Sequence, residues 1–236
     1  MKYLSPITPA LLLFLLTAAY TLTAKAQQTK NVAVNNFTAV GVSAGIELVI
    51  TQGTVEHAKI VANEGVIDEV LVEKQGSKLR ISWRENNSFM NNFKNKVAKV
   101  YVNYKSLNSI SASSGSSLVT ENLLKTNKLE VNVSSGATIN AKVSCNDLEM
   151  STSSGASAVI NGKAINMDVS SSSGGSIEAE DLTTDYAKAR ANSGGSIRIN
   201  VSKGLEASTS SGGNIRYKGN APLHVTSKNT GIRHID

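Results

Sequence analysis

The sequence predicts an all-β chain wound as a parallel β-helix or related β-solenoid, with about 19 to 20 residues per coil. The first observation is a Ser-Gly pair that returns at Ser114-Gly115, Ser135-Gly136, Ser154-Gly155, Ser173-Gly174, Ser193-Gly194 and Ser211-Gly212, the glycines 21, 19, 19, 20 and 18 residues apart. A fixed period near twenty marks a stacked repeat. The second is the column pattern around each glycine. Leu129, Leu148, Met167, Ala187 and Leu205 stand seven residues before it, and Val131, Met150, Val169, Ala189 and Ala207 five before. Ile139, Ala158, Ile177, Ile197 and Ile215 stand three after, and Ala141, Ile160, Ala179, Ile199 and Tyr217 five after. Third, the residues between these columns are mostly polar, and that alternation is the period of a strand with one buried and one wet face.

Each repeat therefore reads as two short strands joined through Ser-Ser-Gly or Ser-Gly-Gly, where glycine tolerates positive φ. One coil has too little apolar surface to offset its ordering entropy, and stacking at about 4.8 Å buries the columns against their neighbours.

The elements follow in chain order. Lys2, the apolar run Leu11 to Leu16 and Ala24-Lys25-Ala26 have the layout of a signal peptide, with cleavage expected after Ala26 and the small residues Ala24 and Ala26 at the site. The apolar run is too short for a stable membrane span, and no other stretch approaches one. Export is thus expected, to the periplasm, the cell surface or the medium. Loss of Lys2 and Lys25 lowers the formal charge from +6 to +4 over residues 27–236, which argues against nucleic acid as a partner.

Residues 27–236 are expected to form one domain in three parts: irregular strands over 27–109, regular repeats over 110–219, and a cap over 220–236. Val40, Val42, Leu48 and Ile50 around Gly45 keep the column pattern and mark a worn outer coil. Strands are expected at 46–51, 57–62, 69–74, 78–84 and 97–104, with Gln75-Gly76-Ser77 as a turn, so this part is expected to cap the stack with antiparallel hairpins. Arg84 to Lys96 carries five asparagines without sustained periodicity and reads as a projecting loop. Phe89, Phe93, Lys94 and Lys96 make it the expected contact site of a binding protein, an apolar anchor with a polar rim. The glycines 45, 115, 136, 155, 174, 194 and 212 are expected as structural turns. Gly231, 19 residues beyond Gly212, is expected to mark a last turn, with His224 and Lys228 in its inward columns.

These residues resemble a family. Phe37 to Gly53, containing Val-Ser-Ala-Gly-Ile-Glu-Leu-Val-Ile-Thr-Gln-Gly, the serial Ser-Gly-x-Ser repeats and Ile215-Arg216-Tyr217-Lys218-Gly219 look like the autotransporter-adhesin head GIN domain proteins of bacteria. The resemblance covers nearly all of residues 27–236. It implies a right-handed β-helix-like fold, an exported location and a surface or adhesion role.

Chemistry is sparse. Serines recur as repeat units, whereas a catalytic serine is singular and activated by one positioned base, and no G-x-S-x-G elbow is present. Cys145 is the only cysteine, so no intramolecular disulfide forms, and it is expected as a buried filler. Glu130, Glu149, Asp168, Lys188 and Glu206 share an outward column in which adjacent carboxylates could share a hard cation, though a solvated face accounts for them more simply. No cofactor is expected. The reading is a non-enzymatic envelope or cell-surface binding module for a protein or glycan ligand, of open oligomeric state. A carbohydrate-active β-helix and a purely structural envelope component are the alternatives.

Overall fold

The computed structural model describes residues 27–63, 65–84, 96–226 and 231–235. The cleavage residues Ala24 and Ala26, the loop residues Phe89, Phe93 and Lys94, and Lys228 lie outside them. The chain is a β-solenoid of about six turns. Its strands are β1 (Gln27–Val32), β2 (Ala39–Val42), β3 (Glu47–Gln52), β4 (His57–Asn63), β5 (Val70–Gln75), β6 (Lys78–Trp83), β7 (Ala98–Tyr104), β8 (Ser109–Ala112), β9 (Ser117–Thr120) and β10 (Leu124–Lys125). They continue as β11 (Lys128–Val133), β12 (Thr138–Thr152), β13 (Ser157–Ser171), β14 (Ser176–Ala191), β15 (Ser196–Thr209), β16 (Asn214–Lys218), β17 (Leu223–Val225) and β18 (Ile232–His234).

The corners set the architecture. At each one a serine and the glycine after it both adopt left-handed backbone, as at Ser135 (φ 53) and Gly136 (φ 69), with Ala44 in the serine position before Gly45. Two consecutive positive φ values make a tight reversal whose first-to-fourth hydrogen bond closes the turn, as in Ala137 N–H to the Ser134 carbonyl at 3.1 Å. The glycine N–H points along the stack instead. Gly45 donates to the Ser114 carbonyl, Gly115 to Ser135, Gly136 to Ser154, Gly155 to Ser173, Gly174 to Ser193 and Gly194 to Ser211, all at 3.0–3.2 Å.

With the corners aligned, every inward column falls in register, for example Leu129↔Leu148↔Met167↔Ala187↔Leu205. The inward residues expected around Gly45 and in the repeats from Leu129 to Tyr217 are all buried. Cys145 is buried with them.

In three places the structure departs from the reading of the sequence. Between corners the later coils are single strands of 14 to 16 residues and not pairs of short ones. The chain bends there without breaking its ladder, aided by irregular pairing between Val159 and Gly162 and by Gly162 at φ 120, where a side chain would meet the Val143 carbonyl. The Gly45 coil is not the outer one. β2 lies between β6 and β8, and β3 between β7 and β9, so a layer formed later in the chain stacks outside it. Finally, Leu223 aligns with Leu205 and Ile232 with Ile215, which puts His224 on the outward column beside Glu206 and Gly231 opposite Asn214, not at a corner. A shorter last coil moves the register by one residue, and one residue exchanges inside for outside.

Antiparallel pairing closes the N-terminal end as expected, though only one of its three pairs, β5 with β6, is a hairpin. β5 pairs antiparallel with β6, β4 with β7, and β1 with β4. The corner ladder stops there at a side chain: the Trp83 indole N–H donates to the Ala44 carbonyl at 2.8 Å, the place a corner glycine N–H takes in the following layers.

Two kinds of corner glycine follow, and urea unfolding separates them. A Cβ at Gly136 meets nothing within 4 Å, so Gly136→Ala costs only the left-handed backbone, about 1–2 kcal/mol. A Cβ at Gly213 would lie 2.1 Å from the Ala191 carbonyl oxygen, so Gly213→Ala forces the coils apart and is expected to cost about 3 kcal/mol or more. Equal losses would contradict the close approach. Trp83→Phe keeps an aromatic ring but removes the indole N–H and some packed volume, and a loss of about 1–3 kcal/mol is expected in the same measurement.

Candidate functional site

Inward columns are held by packing, so variation in chemistry is confined to the outward ones. On the face that precedes each corner, two outward columns run side by side. One is Glu130, Glu149, Asp168, Lys188, Glu206 and His224, and the other is Lys128, Asp147, Asn166, Tyr186 and Gly204, with Pro222 beside it in the last coil. Between them lies a groove of about 660 Å³ that crosses successive coils, with the buried strand positions Leu148, Met167, Ala187 and Leu205 along its floor.

The charges on its walls are paired. Lys188 meets Glu206 at 2.9 Å, Arg190 holds Asp168 through two bonds of 2.6 and 3.2 Å, and Lys128 approaches Glu149 at 3.5 Å. The Asn132 amide donates to Glu130 at 2.6 Å and the Asn166 amide to Asp147 at 2.8 Å. Each carboxylate of the outward column thus meets a cation or an amide. Among the described residues no group of three or more His, Cys, Asp or Glu could hold a metal ion. Two lysines line the groove against four carboxylates, and Arg190 behind Asp168 brings the formal excess to one negative charge, His224 counted neutral.

Tyr186 is the one aromatic side chain lining the groove, and half of it is exposed. It reaches across the next coil: a Cβ on its register partner Gly204 would lie 3.2 Å from Tyr186 Cδ1 and 3.6 Å from Cε1. Glycine at 204 therefore gives the ring its room. Neither residue stands out in the sequence, because Tyr186 and Gly204 sit eight residues before their glycines, outside the inward columns that carry the repeat. The clue was available as a break in an otherwise charged or amide column.

The residues singled out from the sequence are placed differently. Lys96 belongs to the N-terminal cap, where it pairs with Glu69 and lies 5.7 Å from the centre of the Trp83 ring. The corner glycines 45, 115, 136, 155, 174, 194 and 212 all have positive φ. Burial pushes the Cys145 thiol up to about 11, with Asp147 adding to the shift, so it stays protonated and unreactive at neutral pH. His234 Nε2 lies 2.9 Å from the Gly219 carbonyl.

The hydrogen bond from Lys188 holds the Glu206 carboxyl below its ordinary 4.5, and Lys203 does the same for Asp185. A carboxyl depressed in the folded state adds stability that is fully present above its unfolded value and lost as pH falls through the folded one. An NMR titration is therefore expected to show Glu206 with a midpoint below 4.5, and Lys188→Met to move it upward. High salt should shrink the difference, since both partners are exposed; an unmoved midpoint in the variant would break the assignment.

Comparison with known proteins returns a consistent set. The family model described as "Putative auto-transporter adhesin, head GIN domain" matches residues 36–221. A crystal structure of a "putative adhesin" from Bacteroides fragilis is similar with TM-score 0.79 and 21% identity, over 90% of this chain and 98% of that one. Another "putative adhesin", from Parabacteroides merdae, has TM-score 0.69 and 21% identity over 91% and 98%. A "Putative lipid binding protein" from Parabacteroides distasonis has TM-score 0.65 and 17% identity over 90% and 98%. At these identities the likeness is one of fold. A comparison with curated proteins found no match.

Proposed function

The chain belongs to the family "Putative auto-transporter adhesin, head GIN domain", and on that premise we propose that it is an exported, non-enzymatic binding module of the cell envelope or surface. Its contact site is the groove between Lys128 and His224. The observation that carries the reading is the groove itself, an open concave surface spanning several rigid coils, with an exposed aromatic ring and hydrogen-bonding groups along both walls. Export is supported by the basic, apolar and A-x-A layout before residue 27. No helix among the described residues is long and apolar enough to cross a membrane.

Binding is favoured over cleavage because two of the groove carboxylates, Glu206 and Asp168, are held in ion pairs. A general acid needs a raised pKa, and Glu206 is shifted the other way by Lys188.

Attachment of the purified protein to envelope fractions tests the assignment. Asp147→Arg combined with Asn166→Arg fills and recharges the groove from a half-buried and an exposed position, and is expected to reduce attachment about tenfold or more with little change in melting temperature. Asn140→Arg, on the other face, is the control and should leave attachment intact. Equal attachment by all three proteins would remove the groove from the function.

A further inference from the structure

We propose that the groove takes a neutral glycan chain, with one sugar ring stacked on Tyr186. The inference rests on the reading of the groove as the contact site and names its ligand class.

Three observations converge. The first is the Tyr186 platform. A half-exposed aromatic ring carries partial negative charge on its face, and the C–H-bearing face of a pyranose carries the complementary positive charge. Gly204 lets the ring reach over the next coil where any side chain would press on it.

The second is the chemistry of the walls. Carboxylates, an amide and ammonium groups recur along the stack at strand spacing, about 4.8 Å. Glu149, Asp168, Glu206 and Asn166 can each accept or donate further hydrogen bonds beyond the one or two they already make. Such a ladder of mixed donors and acceptors suits a chain of hydroxyl-bearing rings. An apolar peptide or an acyl chain would leave these polar groups desolvated without partners.

The third is charge, which separates neutral from acidic glycans. With Arg190 holding Asp168, the groove keeps one carboxylate more than it has cations, Asp147 being the one without an ion-pair partner shown, so it offers a uronate or sulfated chain no spare positive charge. The cationic surface lies elsewhere: Arg198, Arg216 and Arg233 align on successive coils in an outward column of the face that follows the corner. An anionic chain would be drawn to that column, away from Tyr186.

Isothermal titration calorimetry of the full chain with cellohexaose and with the hexamer of N-acetylglucosamine reads the proposal, with a hexamer of galacturonate as the anionic comparison. Saturable binding of at least one neutral hexamer is expected. Tyr186→Ala should weaken it about tenfold or more, whereas Tyr186→Phe should stay within about twofold. Gly204→Leu should also weaken it by displacing the ring. The two Tyr186 variants keep the test decisive should that substitution disturb the coil, since Tyr186 is a surface residue and the melting temperature reports any loss of fold.

Absence of saturable binding by both neutral hexamers would overturn the proposal. So would binding indifferent to Tyr186→Ala, or galacturonate binding that is tighter and depends on Tyr186. The contact site and its ligand class fail separately. If groove substitutions abolish envelope attachment while no neutral hexamer binds, the contact site stands and the glycan falls. If a hexamer binds through Tyr186 while attachment ignores the groove, the glycan stands and the role in attachment falls.

Discussion

The whole structure depends on the corner, where two successive residues take left-handed backbone and a glycine N–H reaches the next coil. A left-handed serine costs roughly 1–2 kcal/mol on its own. What holds it is repetition. From Gly45 to Ser211 each corner donates to the next, so a corner that relaxed would leave unpaired groups in its own coil and in its neighbour. The corner also decides which side chains face inward. Because side chains along a strand point alternately inward and outward, pinning one backbone position in every coil fixes the sidedness of all the others.

That dependence explains which parts of the fold were legible in the sequence. Leu129 to Leu205 and Ile139 to Ile215 could be read as inward columns because both the corner and the burial repeat, and two periodic signals that agree leave little freedom. The order of the layers could not be read. Gly45 donates to a carbonyl 69 residues away in the chain, and nothing local to either residue reveals that β6 and β7 stack on the far side of that coil. Trp83 could not be recognised as the end of the corner ladder for a similar reason, since its indole replaces a backbone group and leaves no trace in the repeat. At the other end, Leu223 and His224 exchanged places through a one-residue difference in coil length, an error to which period-two reasoning is always exposed.

The candidate site was less legible than the fold, and the cause is physical. Core positions are constrained by volume and by the absence of charge, so they repeat. Outward positions answer to solvent and can differ from coil to coil at little cost in stability. A column such as Lys128, Asp147, Asn166, Tyr186 and Gly204 therefore looks like noise until the coils are stacked and its members become neighbours. The carboxylate column was visible earlier because four of its five expected members share a charge. Its partners Arg190, Lys128 and Asn132 were not, because they come from other columns.

A stack of nearly identical layers has no intrinsic reason to stop, and the two ends of this molecule solve that problem differently. At the N-terminal end the direction of pairing reverses: β4 and β5 run antiparallel to β7 and β6, so the parallel ladder meets strands that cannot continue it. At the C-terminal end the strands simply shorten. β17 and β18 have three residues each, with Leu223 and Val225 in inward columns yet more than a third exposed. Short strands bearing His224 and Arg233 make a poor template for another chain, since edge pairing would have to bring these side chains, and the copies opposite them, together. The apolar surface left at that end is thus tolerated because the backbone around it offers so little to pair with. The long, regular faces between the two ends remain accessible in the single molecule.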